Sequence, residues 1–240
     1  MKKHIPNFVT SLNLLSGSIS IVFAFNGNPE LAAWFIGLAA VFDFFDGMLA
    51  RLLNAKSAIG LQLDSLADMV SFGLAPAVIL FRLMESALNQ PFLFWFNINV
   101  FSLAAFVITV FSALRLAKFN IDDRQTVNFI GLPTPANALF FASLVLALSQ
   151  AEATGNTIIH QLLTNYWILL SLDLVFSALL VSEISLFSMK FKSFRWGDNR
   201  LRYTLLVSFI IFFIFFRFYS LPLIIILYLL LSLLFFRKER

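Results

Sequence analysis

The sequence predicts an all-α polytopic membrane protein, a transmembrane helix bundle of about eight spans, and three observations carry that prediction. Hydrophobic residues make up 60% of the 240 residues and charged ones only 12%, whereas soluble domains carry about 25% charge. Apolar stretches close to the roughly 20 residues needed to cross hydrocarbon recur along the whole chain. Lys and Arg gather at alternate ends of those stretches, the pattern expected when cytoplasmic loops hold the basic excess. A mean hydropathy of +0.89 and 31 phenylalanines exclude a disordered chain. The absence of cysteine removes disulfides, thiol nucleophiles and Cys-type zinc sites. A net charge of +4 spread between apolar segments concerns the membrane and not a nucleic acid.

The first span, residues 8–25, follows Lys2, Lys3 and His4. Such an opening also suits a signal peptide, but no small-residue cleavage site follows it, so the helix is expected to be retained. The second span (31–53) and the third (59–84) are joined by a short turn near residues 54–57 and form an antiparallel pair. Spans at 93–118, 134–150 and 165–187 complete a six-helix core. The last two, 201–218 and 221–236, are nearly pure Phe, Leu and Ile and read as packing or lipid-facing additions. Residues 1–190 are therefore expected to form the core, and 191–240 a cytoplasmic loop with a two-helix extension.

With the N-terminus inside, the cytoplasmic ends hold Lys2 and Lys3; Arg51 and Lys56; Arg115, Lys118 and Arg124; Lys190, Lys192, Arg195, Arg200 and Arg202; and Arg237, Lys238 and Arg240. These are 15 of the 17 basic residues, with only Arg82 and Arg217 at the opposite ends. Both termini are expected in the cytoplasm, with the protein in the cell inner (plasma) membrane.

Four aspartates contradict this apolar setting. Asp43, Asp46, Asp64 and Asp68 all lie in predicted spans, where one Asp costs roughly 2.5–3.5 kcal/mol at a helix centre. Asp43 and Asp46 are spaced i, i+3, and Asp64 and Asp68 i, i+4, so each pair shares one helical face. The antiparallel turn lets the two faces meet. Gly47 and Ala50 continue the first stripe and Gly60 precedes Asp64 by one turn; small residues there let a backbone or a bulky ligand approach closely. Facing carboxylates in a low-dielectric site need cations, and hard divalent ions with oxygen ligands meet that need. Two Mg²⁺ or Mn²⁺ ions would balance four negative charges and leave positions for phosphate oxygens. Two other readings compete. The aspartates also read as buried ion pairs with Arg51, Lys56 or Arg115, or as the lining of a cation transport path. Too few basic residues at that depth weaken the first, and a cluster at the cytoplasmic helix ends weakens the second.

Written out, Asp43-x2-Asp46-Gly47-x2-Ala50-Arg51-x8-Gly60-x3-Asp64-x3-Asp68 resembles the signature of the CDP-alcohol phosphotransferase family at every defined position. The resemblance implies a homodimeric, metal-dependent membrane transferase that breaks the pyrophosphate of a CDP-activated lipid and releases CMP. Ser71-Phe72-Gly73-Leu74-Ala75-Pro76, Ala113-Leu114-Arg115-Leu116-Ala117-Lys118-Phe119-Asn120, Phe129-Ile130-Gly131-Leu132-Pro133-Thr134-Pro135-Ala136 and the opening Ile5-Pro6-Asn7-Phe8-Val9-Thr10 are similar to the family's serine-accepting branch. Together the resemblance covers about residues 5–190 and implies transfer of a phosphatidyl group from CDP-diacylglycerol to L-serine. Phosphatidylglycerophosphate or phosphatidylinositol-phosphate synthesis is the alternative within the family. Lys118 departs from an expected Arg, keeping the charge but losing the planar fork.

On this resemblance Asp43, Asp46, Asp64 and Asp68 are expected metal ligands, Asp43 bridging, with Asp68 also the general base toward a serine hydroxyl. Gly47, Ala50, Arg51, Gly60, Asn7 and Thr10 are expected against the CDP-lipid; Asn7 and Thr10 equally suit helix capping, and Arg51 a snorkelling cation. Arg115, Lys118, Asn120 and Ser71 are expected at the serine, where a cation recognises its carboxylate. Residues 131–135 are expected to form a rigid loop over the site. His4 and His160 fall on opposite sides, and Asp173 and Glu183 receive no role.

Overall fold

The computed structural model describes residues 4–55, 57–122, 129–187, 196 and 199–235. Lys2, Lys3, Lys56, Arg124, Lys190, Lys192, Arg195, Arg237, Lys238 and Arg240, on which much of the expected orientation rests, lie outside these residues.

Helix α1 (His4–Phe25) turns at Gly27, whose φ of 74° suits glycine, into α2 (Pro29–Leu52). The buried positions of α1 are Pro6, Thr10, Asn13, Ser16, Gly17, Ser20 and Ala24. Its inner face is thus small and polar and its outer face apolar, the arrangement that lets helices approach closely in lipid. Ser20 Oγ donates across to the Ala32 carbonyl of α2 at 2.8 Å.

The α2 helix stops in a tight turn at Asn54, with φ 48°, and Ala55 N–H donates back to the Ala50 carbonyl at 3.0 Å. Ser57 then caps the next helix, its hydroxyl accepting from Gly60 N–H at 3.0 Å. One apolar rod of 28 residues follows, Ala58–Glu85. It consists of α3 (Ala58–Asp68), a π-helical segment (Met69–Leu74) and α4 (Ala75–Glu85). Nine residues of α4 are buried, and α4 packs with α6 (Thr134–Thr154) at the centre of the bundle.

The fourth rod begins later than expected. The sequence predicts helix from residue 93, but residues 93–99 contain an antiparallel hairpin of β1 (Phe94–Trp95) and β2 (Ile98–Asn99). Phe96 and Asn97 turn it with φ of 46° and 63°, the signs of a type I′ turn. Asn99 then accepts from Phe101 N–H at 3.2 Å and starts a 3₁₀ stretch, Val100–Phe106, that runs into α5 (Val107–Ile121). Hydropathy cannot separate an aromatic hairpin from a helix start, because both are apolar.

The short α7 (Thr157–Leu163) and α8 (Tyr166–Val181) follow α6. Strands β3 (Phe129–Ile130) and β4 (Ser185–Leu186) pair antiparallel and tie the entrance of α6 to the exit of α8. Helices α9 (Arg200–Phe216) and α10 (Ser220–Phe235) fold back on each other around Arg217. Gln150 holds this bend with both ends of its amide, donating to the Phe216 carbonyl at 3.1 Å and accepting from Phe218 N–H at 2.7 Å.

The eight expected spans correspond to α1, α2, α3–α4, the 3₁₀ stretch with α5, α6, α8, α9 and α10. Among the described residues, six stretches are long and apolar enough to cross a membrane, one of them the α9–α10 pair taken together as Arg200–Leu234; Tyr166–Val181 is shorter. The molecule is an all-α polytopic bundle.

Candidate active site

The turn between α2 and α3 brings the two acidic stripes together. Asp43, Asp64 and Asp68 each offer a carboxylate oxygen, and these atoms lie within 4.8 Å of one another. Asp46, one turn along α2, stands beside them on the wall of a cavity of about 770 Å³, which Asp64 also lines. Thr10 donates to the Pro6 carbonyl at 3.0 Å, and its side chain stands next to the Asp46 carboxylate. Oδ2 of Asp46 is buried without a hydrogen-bond partner.

Asp46 and Asp68 are the two buried members of the four, 5% and 8% exposed. Asn13 of α1 donates its Nδ2 to Asp68 Oδ1 at 3.2 Å, while Asn13 Oδ1 is itself buried without a donor. Below it, Ser71 donates to the Asn13 carbonyl at 2.9 Å. Gly17 makes this approach possible, since a Cβ there would stand 2.3 Å from Ser71 Oγ and 2.6 Å from Ser71 Cα. Sequence reasoning missed both Asn13 and Gly17. The available signal was the repeat Asn7, Thr10, Asn13, Ser16, Gly17, Ser20, a polar and small stripe at helical spacing on an otherwise apolar span.

Three carboxylates converging at this distance repel strongly in a low-dielectric site. Hard oxygen donors, together with acceptor atoms of Asp46 and Asn13 that lack donors, fit a divalent cation. The geometry thus assembles Asp43, Asp64 and Asp68 as one group and sets Asp46 at its edge, facing the cavity.

The expected CDP-lipid residues Asn7, Thr10, Gly47, Ala50, Arg51 and Gly60 all line that same cavity. The glycines serve it differently. A Cβ on Gly60 would stand 3.0 Å from both Asn7 Oδ1 and Ser57 Oγ, so Gly60 permits a close approach of α1 to α3. A Cβ on Gly47 would meet nothing within 4 Å, so its place is the open volume of the cavity.

The expected acceptor residues are divided. Arg115, 5% exposed, and Lys118 line a second cavity of about 320 Å³. Asn120 donates to Ser65 Oγ at 2.9 Å and so ties the end of α5 to α3. Ser71 corrects the expectation. It is fully buried, its hydroxyl is committed to the Asn13 carbonyl, and it lines neither cavity, so it seats α1 against the π-helical segment.

Residues 131–135 follow β3 and stand against the end of α8. Gly131 (φ 76°) donates to the Ile184 carbonyl at 2.8 Å and Leu132 to Leu179 at 2.9 Å, pinning the loop to the end of α8. Through Ile130 this region walls the second cavity. Asp173 lies buried within α8, accepting from Ser177 Oγ at 3.3 Å, and Glu183 lines the second cavity.

A family model for CDP-alcohol phosphatidyltransferase matches residues 3–179. The chain is 31% identical over 196 residues to the CDP-diacylglycerol–serine O-phosphatidyltransferase of Helicobacter pylori (strain ATCC 700392 / 26695), covering 80% of this chain and 74% of that protein. It is 37% identical over 145 residues to the protein of the same name from Bacillus subtilis (strain 168), covering 60% and 74%. The Saccharomyces cerevisiae protein of that name is 37% identical over 168 residues, covering 63% and 55%. With its acidic cluster, its membrane-spanning helices and these similarities, the chain belongs to the CDP-alcohol phosphatidyltransferase family.

Proposed function

We propose that the protein transfers the phosphatidyl group of CDP-diacylglycerol to the hydroxyl of L-serine, forming phosphatidylserine and CMP. The observation that carries this reading is the adjacency of the Asp43–Asp64–Asp68 cluster and the cavity of about 770 Å³, which share Asp64 as a wall. The choice of serine is supported by the names of the relatives from three different organisms.

In this reading Asp43, Asp46, Asp64 and Asp68 would hold two Mg²⁺ or Mn²⁺ ions. When bound, such ions supply charge neutralisation at the phosphoryl oxygens. The residues do the rest. Asn7, Thr10, Gly47, Ala50 and Gly60 shape the nucleotide cavity, and Arg51 meets the diphosphate. Arg115 and Lys118 hold the serine carboxylate, with Asn120 keeping their helix end against α3. Asp68, oriented by Asn13, accepts the proton of the serine hydroxyl as its oxygen attacks the phosphatidyl phosphorus. The bond from that phosphorus to the bridging pyrophosphate oxygen breaks, and CMP leaves. We place the site and both termini on the cytoplasmic side of the inner membrane, residues 1–190 as the catalytic unit with 191–240 appended, and two copies in the working assembly.

The test is CMP release by purified protein in detergent with CDP-diacylglycerol and Mg²⁺ or Mn²⁺. L-Serine, glycerol 3-phosphate and inositol phosphate are compared as acceptors. Serine-dependent release that stops with EDTA is the expected result. Release with a phosphorylated acceptor instead would overturn the acceptor assignment, and ion flux with no release would return the chain to the transport reading.

A further inference from the structure

The β1–β2 hairpin joins two features that conflict in water. Phe92, Leu93, Phe94, Trp95 and Phe96 are between 56% and 84% exposed, and residues 86–114 hold no Asp, Glu, Lys or Arg. Alternation along a strand puts such side chains on both faces of the hairpin. Phe92 and Phe94 stack with ring centres 6.4 Å apart, while Trp95 lies on the opposite face and meets Phe96 at 5.4 Å. The turns after α1 and α6, at the same end of the bundle, are instead polar: Asn26-Gly27-Asn28 and Gly155-Asn156-Thr157.

The base of the hairpin is tied to the ends of the helices. Leu88 N–H donates to the Thr164 carbonyl at 2.6 Å and Tyr166 N–H to the Leu88 carbonyl at 3.1 Å. Asn99 Nδ2 donates to Gln90 Oε1 and to the Pro91 carbonyl, both at 2.9 Å, and the Tyr166 hydroxyl to the Phe101 carbonyl at 2.9 Å. The rod that leads to this base, α3–α4, runs roughly 25 Å from Asp68 to Glu85 at 1.5 Å per residue. The hairpin therefore stands at the end of the bundle remote from the carboxylates.

Three surroundings fail it. Water would hydrate both aromatic faces, and a lone two-stranded hairpin is marginal there. Hydrocarbon would strand the outer edge of each strand, because this sheet has two strands only and an open edge has no backbone partner in lipid. A second copy of the chain would cover one face and leave the other wet. The headgroup layer meets both needs, since rings enter its apolar side while edge N–H and C=O groups keep water, as in aromatic belts. We infer that the hairpin is an interfacial anchor whose partner is the lipid surface, lying in the headgroup layer of the leaflet remote from the acidic cluster. The bonds at its base make that depth a constraint on the ends of α4 and α8.

The test uses the full chain in vesicles of phosphatidylethanolamine and phosphatidylglycerol. The sequence has no cysteine, so a spin label at Phe96→Cys reports the tip alone. Labels at Asn26→Cys, in the polar turn after α1, and at Ile210→Cys, half-exposed in the middle of α9, serve as references. Collision with a water-soluble nickel chelate is expected to be at least roughly threefold weaker at Phe96 than at Asn26 and at least roughly threefold stronger than at Ile210, the order for a group at the membrane–water boundary. Contact equal to that at Asn26 would put the hairpin in water, and protection equal to that at Ile210 would put it in hydrocarbon; either overturns the inference. Spectral broadening relieved by dilution with unlabelled protein would reveal a second copy on the hairpin and overturn it too. Adding Phe94→Ser and Trp95→Ser to the Phe96→Cys chain is expected to bring chelate contact within about twofold of the Asn26 value, because the rings hold the tip at the boundary. Contact that does not change would overturn that role of the rings. None of these readings needs turnover, so they stand or fall apart from the serine reading, and the unfolding temperature in detergent checks that each variant folds.

Discussion

Helices α3 and α4 belong to one continuous rod, yet they live in opposite surroundings. Only Ala67 and Asp68 are buried in α3, whereas nine of the eleven residues of α4 are. The first half opens onto the cavity and presents Asp64 and Asp68; the second is wedged among α1, α5 and α6. In lipid, apolar burial itself drives little association, and close packing does the holding. The rod is therefore anchored by one half so that the other can face ligand. Chemistry and stability separate along a single helix, and substitutions should separate them too.

The largest effect is expected from Asp68→Asn. CMP release should fall by about 10²–10⁴-fold, the range for a lost general base, while thermal unfolding in detergent stays where it was and nucleotide-lipid binding persists in part. Normal turnover would remove the base role. Asp43→Asn should also abolish turnover and weaken metal binding by titration calorimetry, and unchanged metal affinity would remove its bridging role. In the packed half the signs reverse. Ile79→Ala should cost about 2 kcal/mol, the cavity part of the usual penalty, because lipid removes the part due to transfer from water. It should lower the unfolding temperature while leaving the KM for CDP-diacylglycerol unaltered. Gly17→Ala acts at the junction, where the new methyl group must displace the Ser71 backbone. About 1–3 kcal/mol of overpacking is expected, with turnover lost alongside stability because Asn13 moves with α1. The smallest effect is expected for Leu66→Ala, whose side chain is 63% exposed on the open half; a shift within about 0.5 kcal/mol is the expected range for such a site.

The open half was far more legible in the sequence than the packed one. Charges in an apolar span are rare enough that Asp43, Asp46, Asp64 and Asp68 announce themselves, and their spacing implies shared faces. The six residues expected around the CDP-lipid, read from the same short stretches of sequence, line one cavity. The packed half is apolar without a break from Ala75 to Phe81, so that run does not mark which side of α4 faces α6. The hairpin at β1–β2 was read as helix because Phe94, Trp95 and Ile98 suit either state, and only the positive φ at Phe96 and Asn97 separates them. Ser71 was assigned to the acceptor from its neighbours in sequence, but its hydrogen bond to the Asn13 carbonyl depends on a helix 58 positions away. The mixed charge of the second cavity was hidden because Asp122 and Glu183 come from segments that only the folded chain brings together.

The π-helical segment at Met69–Leu74 has a mechanical consequence for how this rod tolerates change. Each π turn contains one residue more than the α-helical turn it replaces. Winding the same residues as a plain α-helix, with no extra residue absorbed in the turn, would rotate everything before it by about 100° relative to everything after it. With α4 clamped in the bundle, the rotation would fall on α3, swinging Asp64 and Asp68 away from Asp43 without altering any carboxylate. The rod works as a phase adjuster: the winding of the segment between anchor and active face sets the aim of the acids.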